Sequence, residues 1–131
     1  MPVSADRIPF TYAVLRLVPS VERGERINVG VVLFCRQGGG FLGVRTAVDD
    51  RKLAALAPGA DPAQVRAALV AIERVVAGDR EAGALGTLDP SERFGWVVAP
   101  SSTIIEPGPV HTGLCDDPAA ELKGLFERLV V

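Results

Sequence analysis

Between Ile27 and Arg36 the chain reads INVGVVLFCR, its strongest strand. Branched and aromatic side chains crowd this run, and they favour extended backbone. Period-two alternation predicts Ile27, Val29, Val31, Leu33 and Cys35 on one face, and Asn28, Gly30, Val32, Phe34 and Arg36 on the other. Phe10 to Val18, FTYAVLRLV, is a second strand, bounded by Pro9 and Pro19. Phe10, Tyr12, Val14 and Arg16 share one face; Thr11, Ala13, Leu15 and Leu17 share the other. Both faces are largely apolar, which predicts a central strand. The polar stretch from Pro19 to Arg26 reads as the loop between the two. Gly38, Gly39 and Gly40 permit a tight reversal into a third strand, Phe41 to Val48. Three strands joined this tightly predict an antiparallel meander.

The middle of the chain is helical. Asp50 to Leu56 predicts a short helix. Asp61-Pro62-Ala63-Gln64 is a capping box with proline at the first helical position. Val65, Leu69, Ile72 and Val76 follow at helical spacing, and Gly78 supplies a stop. Asp79 to Leu88, rich in Gly and Ala, reads as a connector. Asp89-Pro90-Ser91-Glu92 is a second capping box, read as a single turn before a short strand from Phe94 to Ala99. Thr103 to Glu106 reads as extended, and Pro107-Gly108-Pro109 as a turn. A last helix opens at Asp117-Pro118 and carries Leu122, Leu125, Phe126 and Leu129 on one stripe. Asp-Pro recurs at Asp61, Asp89 and Asp117, but the flanks do not repeat, so these are three helix starts rather than an internal repeat.

The expected fold is therefore α+β. It is a single domain over residues 1–131, with a mainly antiparallel sheet of four to five strands and two main helices packed on one face. At 131 residues the chain buries enough surface for its own core. Disorder would need low hydrophobicity and high net charge, whereas the hydrophobic fraction is 48% and the net charge −2. Charge is unevenly placed: eight Arg/Lys against five Asp/Glu up to Lys52, then six against eleven. No apolar run approaches the roughly 20 residues of a membrane span. Two cysteines, Cys35 and Cys115, with no secretory signal, predict reduced thiols in a cytoplasmic protein.

Two long stretches carry a resemblance. YAVLRLVPSVERGERINVGVVLF, from Tyr12 to Phe34, and SSTIIEPGPVHTGLCDDP, from Ser101 to Pro118, resemble the bacterial domain-of-unknown-function family 3037. The family's name supplies no activity. Members of that family lie beside kinases of the high-persistence toxin type. The resemblance therefore implies a partner or accessory role, with a kinase encoded nearby as the candidate partner.

Two constellations could carry chemistry. The first is Arg16, Glu22, Arg23, Glu25, Arg26 and Asn28. Arg16 interrupts an apolar strand face, and a buried guanidinium needs a carboxylate, for which Glu25 or Glu106 are available. That reads as an internal ion pair; the functional alternative is an anion-binding pair of Arg16 with Arg26. Gly30 removes bulk beside Asn28, which would let a ligand or a neighbouring backbone approach. The second constellation runs from Ser101 to Asp117 and holds Ser102, Thr103, Glu106, Cys115, Asp116 and the only histidine, His111. Each has a structural role open to it, as cap, local turn or backbone contact.

Proton transfer by His111 with Glu106 is the weak catalytic candidate. A metal set of His111, Cys115 and Asp116 fits no known ligand spacing, so no metal or cofactor is expected. Ser102 or Cys115 with His111 lacks any nucleophile signature. The triple-glycine turn leads into a strand and lacks the Lys-Ser/Thr of a phosphate loop. With aromatics at 5% and no basic run, nucleic acid is not the favoured partner. The leading expectation is a binding or accessory protein with a protein partner or a homo-oligomeric state. The alternative is an enzyme or receptor whose pocket of Arg16, Arg26, Asn28, Ser102, Thr103 and His111 takes an anionic, phosphate-type ligand.

Overall fold

The computed structural model describes residues 7–19, 22–37, 40–100 and 104–131. Strands β1 (Ile8–Leu17), β2 (Ile27–Cys35) and β3 (Phe41–Thr46) form the expected antiparallel meander. Helices α1 (Asp50–Leu56) and α2 (Pro62–Ala77) follow, then a 3-10 segment over Arg80–Thr87 and helix α3 (Pro90–Val98). Two short strands, β4 (Ile105–Pro107) and β5 (His111–Cys115), precede helix α4 (Pro118–Leu129). The sheet order is β3-β2-β1-β4, with β5 also on β1, and every pairing is antiparallel. β1 is central, as its two apolar faces demand.

Helices α2, α3 and α4 each start at an Asp-Pro step, whereas α1 is capped by Asp49. Asp61 and Asp117 accept hydrogen bonds from the backbone N–H two residues on, and Asp89 from that of Glu92. Gly78 closes α2 in the left-handed conformation, with φ 69°. The guanidinium of Arg93 then donates to the carbonyls of Val75 and Val76, the last turn of α2. That contact pins α3 to the negative end of α2.

Four expectations are corrected. Phe94 to Ala99 does not form a strand: the capping box at Asp89 starts a nine-residue helix instead. The connector after α2 is wound into 3-10 turns. Pro107-Gly108-Pro109 does not reverse the chain. β4 pairs with Leu15–Leu17 and β5 with Ile8–Tyr12 of the same strand, so the two are one interrupted edge strand. The prolines cannot donate to the ladder, and Gly108 N–H bridges the gap by donating to Val14 C=O at 2.7 Å. The main helices also lie on opposite faces of the sheet. Ala13, Leu15, Leu17, Val29 and Val32 pack with α1, α2 and α3. Phe10, Val31, Leu33, Cys35 and Cys115 pack with Leu122 and Leu125 of α4. A central strand apolar on both sides requires cover on both sides, and α4 supplies the second.

A β-bulge explains the remaining difference. Leu15 pairs with Gly30 but Arg16 pairs with Asn28, leaving Val29 as the extra residue. The bulge inverts the alternation below it. Ile27 and Val29 join the Val32 face, and Asn28 moves to the opposite one. Asn28 and Gly30 therefore do not share a face as simple periodicity predicts. Of the two approaches open at Gly30, the neighbouring backbone is the one found: a Cβ there would lie 3.0 Å from the Arg45 carbonyl oxygen on β3.

Candidate functional site

Arg16, next to the bulge, projects toward β4, where register places Glu106 opposite it. Its Nη2 donates to Glu106 Oε1 at 3.1 Å. Arg26 enters from the β1–β2 loop, and its Nε donates to the same oxygen at 2.5 Å. One carboxylate thus serves two guanidiniums, and the trio keeps a formal charge of +1. The three side chains are 23–31% exposed, so this is neither a surface pair nor a buried one. Glu25 does not serve Arg16; it pairs with Arg23 at 2.8 Å. Arg16 Nε is buried and has no acceptor among the described residues. The internal ion pair anticipated for Arg16 is present, and it leaves spare guanidinium donors at the sheet edge.

Of the other anticipated residues, Asn28 and His111 are described, and neither joins the trio. Asn28 neighbours Arg16 in the sheet, but its amide donates to the Leu129 carbonyl at 3.0 Å and ties down the end of α4. His111 pairs with Tyr12, four β1 residues from Arg16, or roughly 13 Å along the strand. Its ring lies 5.2 Å from that of Tyr12 and is exposed. Glu106 and His111 are thus set apart along the edge rather than side by side. Ser102 and Thr103 lie outside the described residues. Cys115, the last residue of β5, is buried in the cluster with α4, which raises its thiol pKa above the ordinary 9.0, chiefly through desolvation and then through Cys35 nearby. Among the described residues no group of three His, Cys, Asp or Glu is placed to hold a metal ion, and no helix is long and apolar enough to cross a membrane.

An apolar concavity beside this edge was not legible in the sequence. α2, α3 and β4 enclose an apolar groove of about 340 Å³, floored by Leu15, Ile72, Val97 and Ile105. Trp96, the only tryptophan, stands at its rim and is 44% exposed. Pro100 and Pro107 border both this groove and an open cleft that reaches Arg16 and Glu106. The apolar groove and this cleft are separate concavities that meet at Pro100 and Pro107, and Arg26 lines neither. Reading Phe94 to Ala99 as a strand hid Trp96. Helical spacing instead turns Phe94 and Val97 inward and leaves Trp96 at the boundary with solvent. The signal was present in the capping box followed by Phe94 and Val97, three residues apart.

The model of a family described as "Protein of unknown function (DUF3037)" matches residues 12–130. No curated protein and no solved structure matches the chain.

Proposed function

The chain belongs to the DUF3037 family, whose description assigns no activity, and from that premise we propose that it is a cytoplasmic binding or accessory protein. Its groove between α2, α3 and β4 takes a segment of a partner protein. The observation that carries this reading is Trp96 at 44% exposure on the rim of an apolar groove. A half-exposed tryptophan over a preformed apolar floor is the kind of residue that dominates interface energies. The cleft beyond Pro100 and Pro107, which reaches Arg16 and Glu106, adds a charged neighbour to the partner's footprint. The segment that fits has an apolar side chain for the floor and a carboxylate for the Arg16 guanidinium. A kinase encoded nearby is the candidate that the family context supplies.

A second reading is favoured by the net positive trio: a phosphate-type anion bound by Arg16 and Arg26 alone. The two readings separate experimentally. A photo-crosslinking residue at position 96 or 71, both at the groove, should link the same protein in a native lysate. One at exposed Ala54 should not. With that protein purified, Trp96→Glu should weaken binding at least tenfold by calorimetry, and Arg26→Ala less. Capture of nothing at position 96, together with inorganic phosphate binding that Arg26→Ala abolishes, would replace the first reading with the second.

A further inference from the structure

β5 exposes a row of backbone groups whose direction follows from the sequence. Pro9 lies opposite Leu114, and proline has no N–H to exchange, so this is a non-hydrogen-bonded pair. Alternation then makes Ile8–Cys115, Phe10–Gly113 and Tyr12–His111 the hydrogen-bonded pairs. Thr112 and Leu114 must point their N–H and C=O groups away from β1. The Leu114 carbonyl accepts from Arg7 Nη2 at 2.9 Å. For Thr112 N–H and C=O and for Leu114 N–H, no partner is found among the described residues. Unpaired edges of this kind are usually protected by lysine, proline or a bulge. The β4 half has Pro107, and Pro109 follows it, whereas HTGLC has none of these devices.

Side chains on this edge are self-complementary. Thr112 shares the face of Thr11, and Val110 and Leu114 lie two residues to either side. Both are exposed, at 46% and 45%. We propose that the chain forms a symmetric dimer by antiparallel pairing of β5 with β5 of a second copy, with Thr112 on the two-fold axis. In that register each Thr112 exchanges two hydrogen bonds with its mate, and Val110 of one copy covers Leu114 of the other. Leu114 N–H then donates to the Val110 carbonyl across the axis. Asp116 falls opposite Gly108, so no like charges meet. Placing the axis at Leu114 would instead set Thr112 against Asp116 and leave Val110 uncovered. The result is one sheet running through both copies, and it uses neither the groove nor the cationic trio.

The proposal is tested on the full chain by sedimentation equilibrium and by a cysteine trap. Hydrogen-bonded antiparallel partners sit about 5.5 Å apart at Cα, within disulfide range. Thr112→Cys should therefore form an intermolecular disulfide under mild oxidation. Ala54→Cys, on α1, should not, and native Cys35 and Cys115 are buried. Thr112→Pro removes only an outward-facing N–H and should raise the dimer dissociation constant by about 100-fold. Leu114→Lys should also dissociate the dimer, and circular dichroism verifies that both variants fold. A wild-type chain that stays monomeric up to several hundred micromolar overturns the proposal. So does a dimer that Thr112→Pro and Leu114→Lys both leave intact, or an edge that pairs only with a strand of another protein.

Discussion

Replacing Glu106 by alanine removes the single carboxylate that Arg16 and Arg26 share. Exposed ion pairs contribute about 0–1 kcal/mol, whereas removing one partner of a buried pair costs about 3–5 kcal/mol. With Arg16, Arg26 and Glu106 at 30%, 31% and 23% side-chain exposure, the cost lies between these limits. Two guanidiniums left facing each other add repulsion, partly relieved by water. The expected loss is about 2 kcal/mol, a fall of about 1 M in the urea midpoint at a slope near 2 kcal/mol per M. Because the trio joins β1, the β1–β2 loop and β4, the slope itself should not change. A double-mutant cycle between Arg26→Ala and Glu106→Ala should show coupling of about 1 kcal/mol that shrinks in 1 M salt. A Glu106→Ala variant as stable as wild type, with no coupling to Arg26, would refute the reasoning. The trio would then be an ordinary solvated contact.

Further outcomes follow from single residues. Leu33 is fully buried against α4, so Leu33→Ala should cost about 3–5 kcal/mol by urea titration, while Leu56→Ala at an exposed position should change stability by under about 0.5 kcal/mol. Gly78→Ala must adopt φ 69° and would place a Cβ 3.0 Å from Arg93 Nη1, which caps α2; a loss of about 1–2 kcal/mol is expected in thermal melts. Burial pushes the Cys115 thiol up, so native protein at pH 8 should react with iodoacetamide far more slowly at Cys115 than unfolded protein does, read by peptide mass spectrometry. Asp89 is held below its ordinary 3.8 by the Glu92 backbone N–H and then by the Glu92 side chain. Its contribution is therefore complete above pH 3.8 and lost as pH falls through its folded value. Glu92 is raised above 4.5, first by its hydrogen bond to Asp89, so its low-pH contribution fades as pH rises through its own folded value. Asp89→Asn keeps an acceptor for the cap but removes both dependences. Its stability should vary less with pH between about 2 and 5 in acid titrations followed by circular dichroism.

Local signals in the sequence were strong where one physical cause dominated. The meander, α1, α2 and α4 were all readable, because period-two apolar runs and, for α2 and α4, Asp-Pro caps each point one way. The ion-pair partner of Arg16 was narrowed to two carboxylates, since a half-buried guanidinium needs one. What was not readable depended on long-range pairing. The bulge at Val29 shifts one residue and moves Asn28 to the other face, and nothing local to INVGVV announces it. Pro107-Gly108-Pro109 has turn composition, yet β1 holds both of its flanks in one line. Trp96 was misplaced because FGWVVA has strand-like composition, and the capping box upstream decides the matter only when taken together with Phe94 and Val97.

The central claim is that a partner's apolar segment covers Trp96. Since this is the only tryptophan, its emission reports the groove alone. Adding the protein captured at position 96, in a tryptophan-free form, should shift that emission to the blue and protect it from iodide quenching, saturably and at one-to-one stoichiometry. Binding that leaves the emission maximum and the quenching constant of Trp96 unchanged would contradict the account.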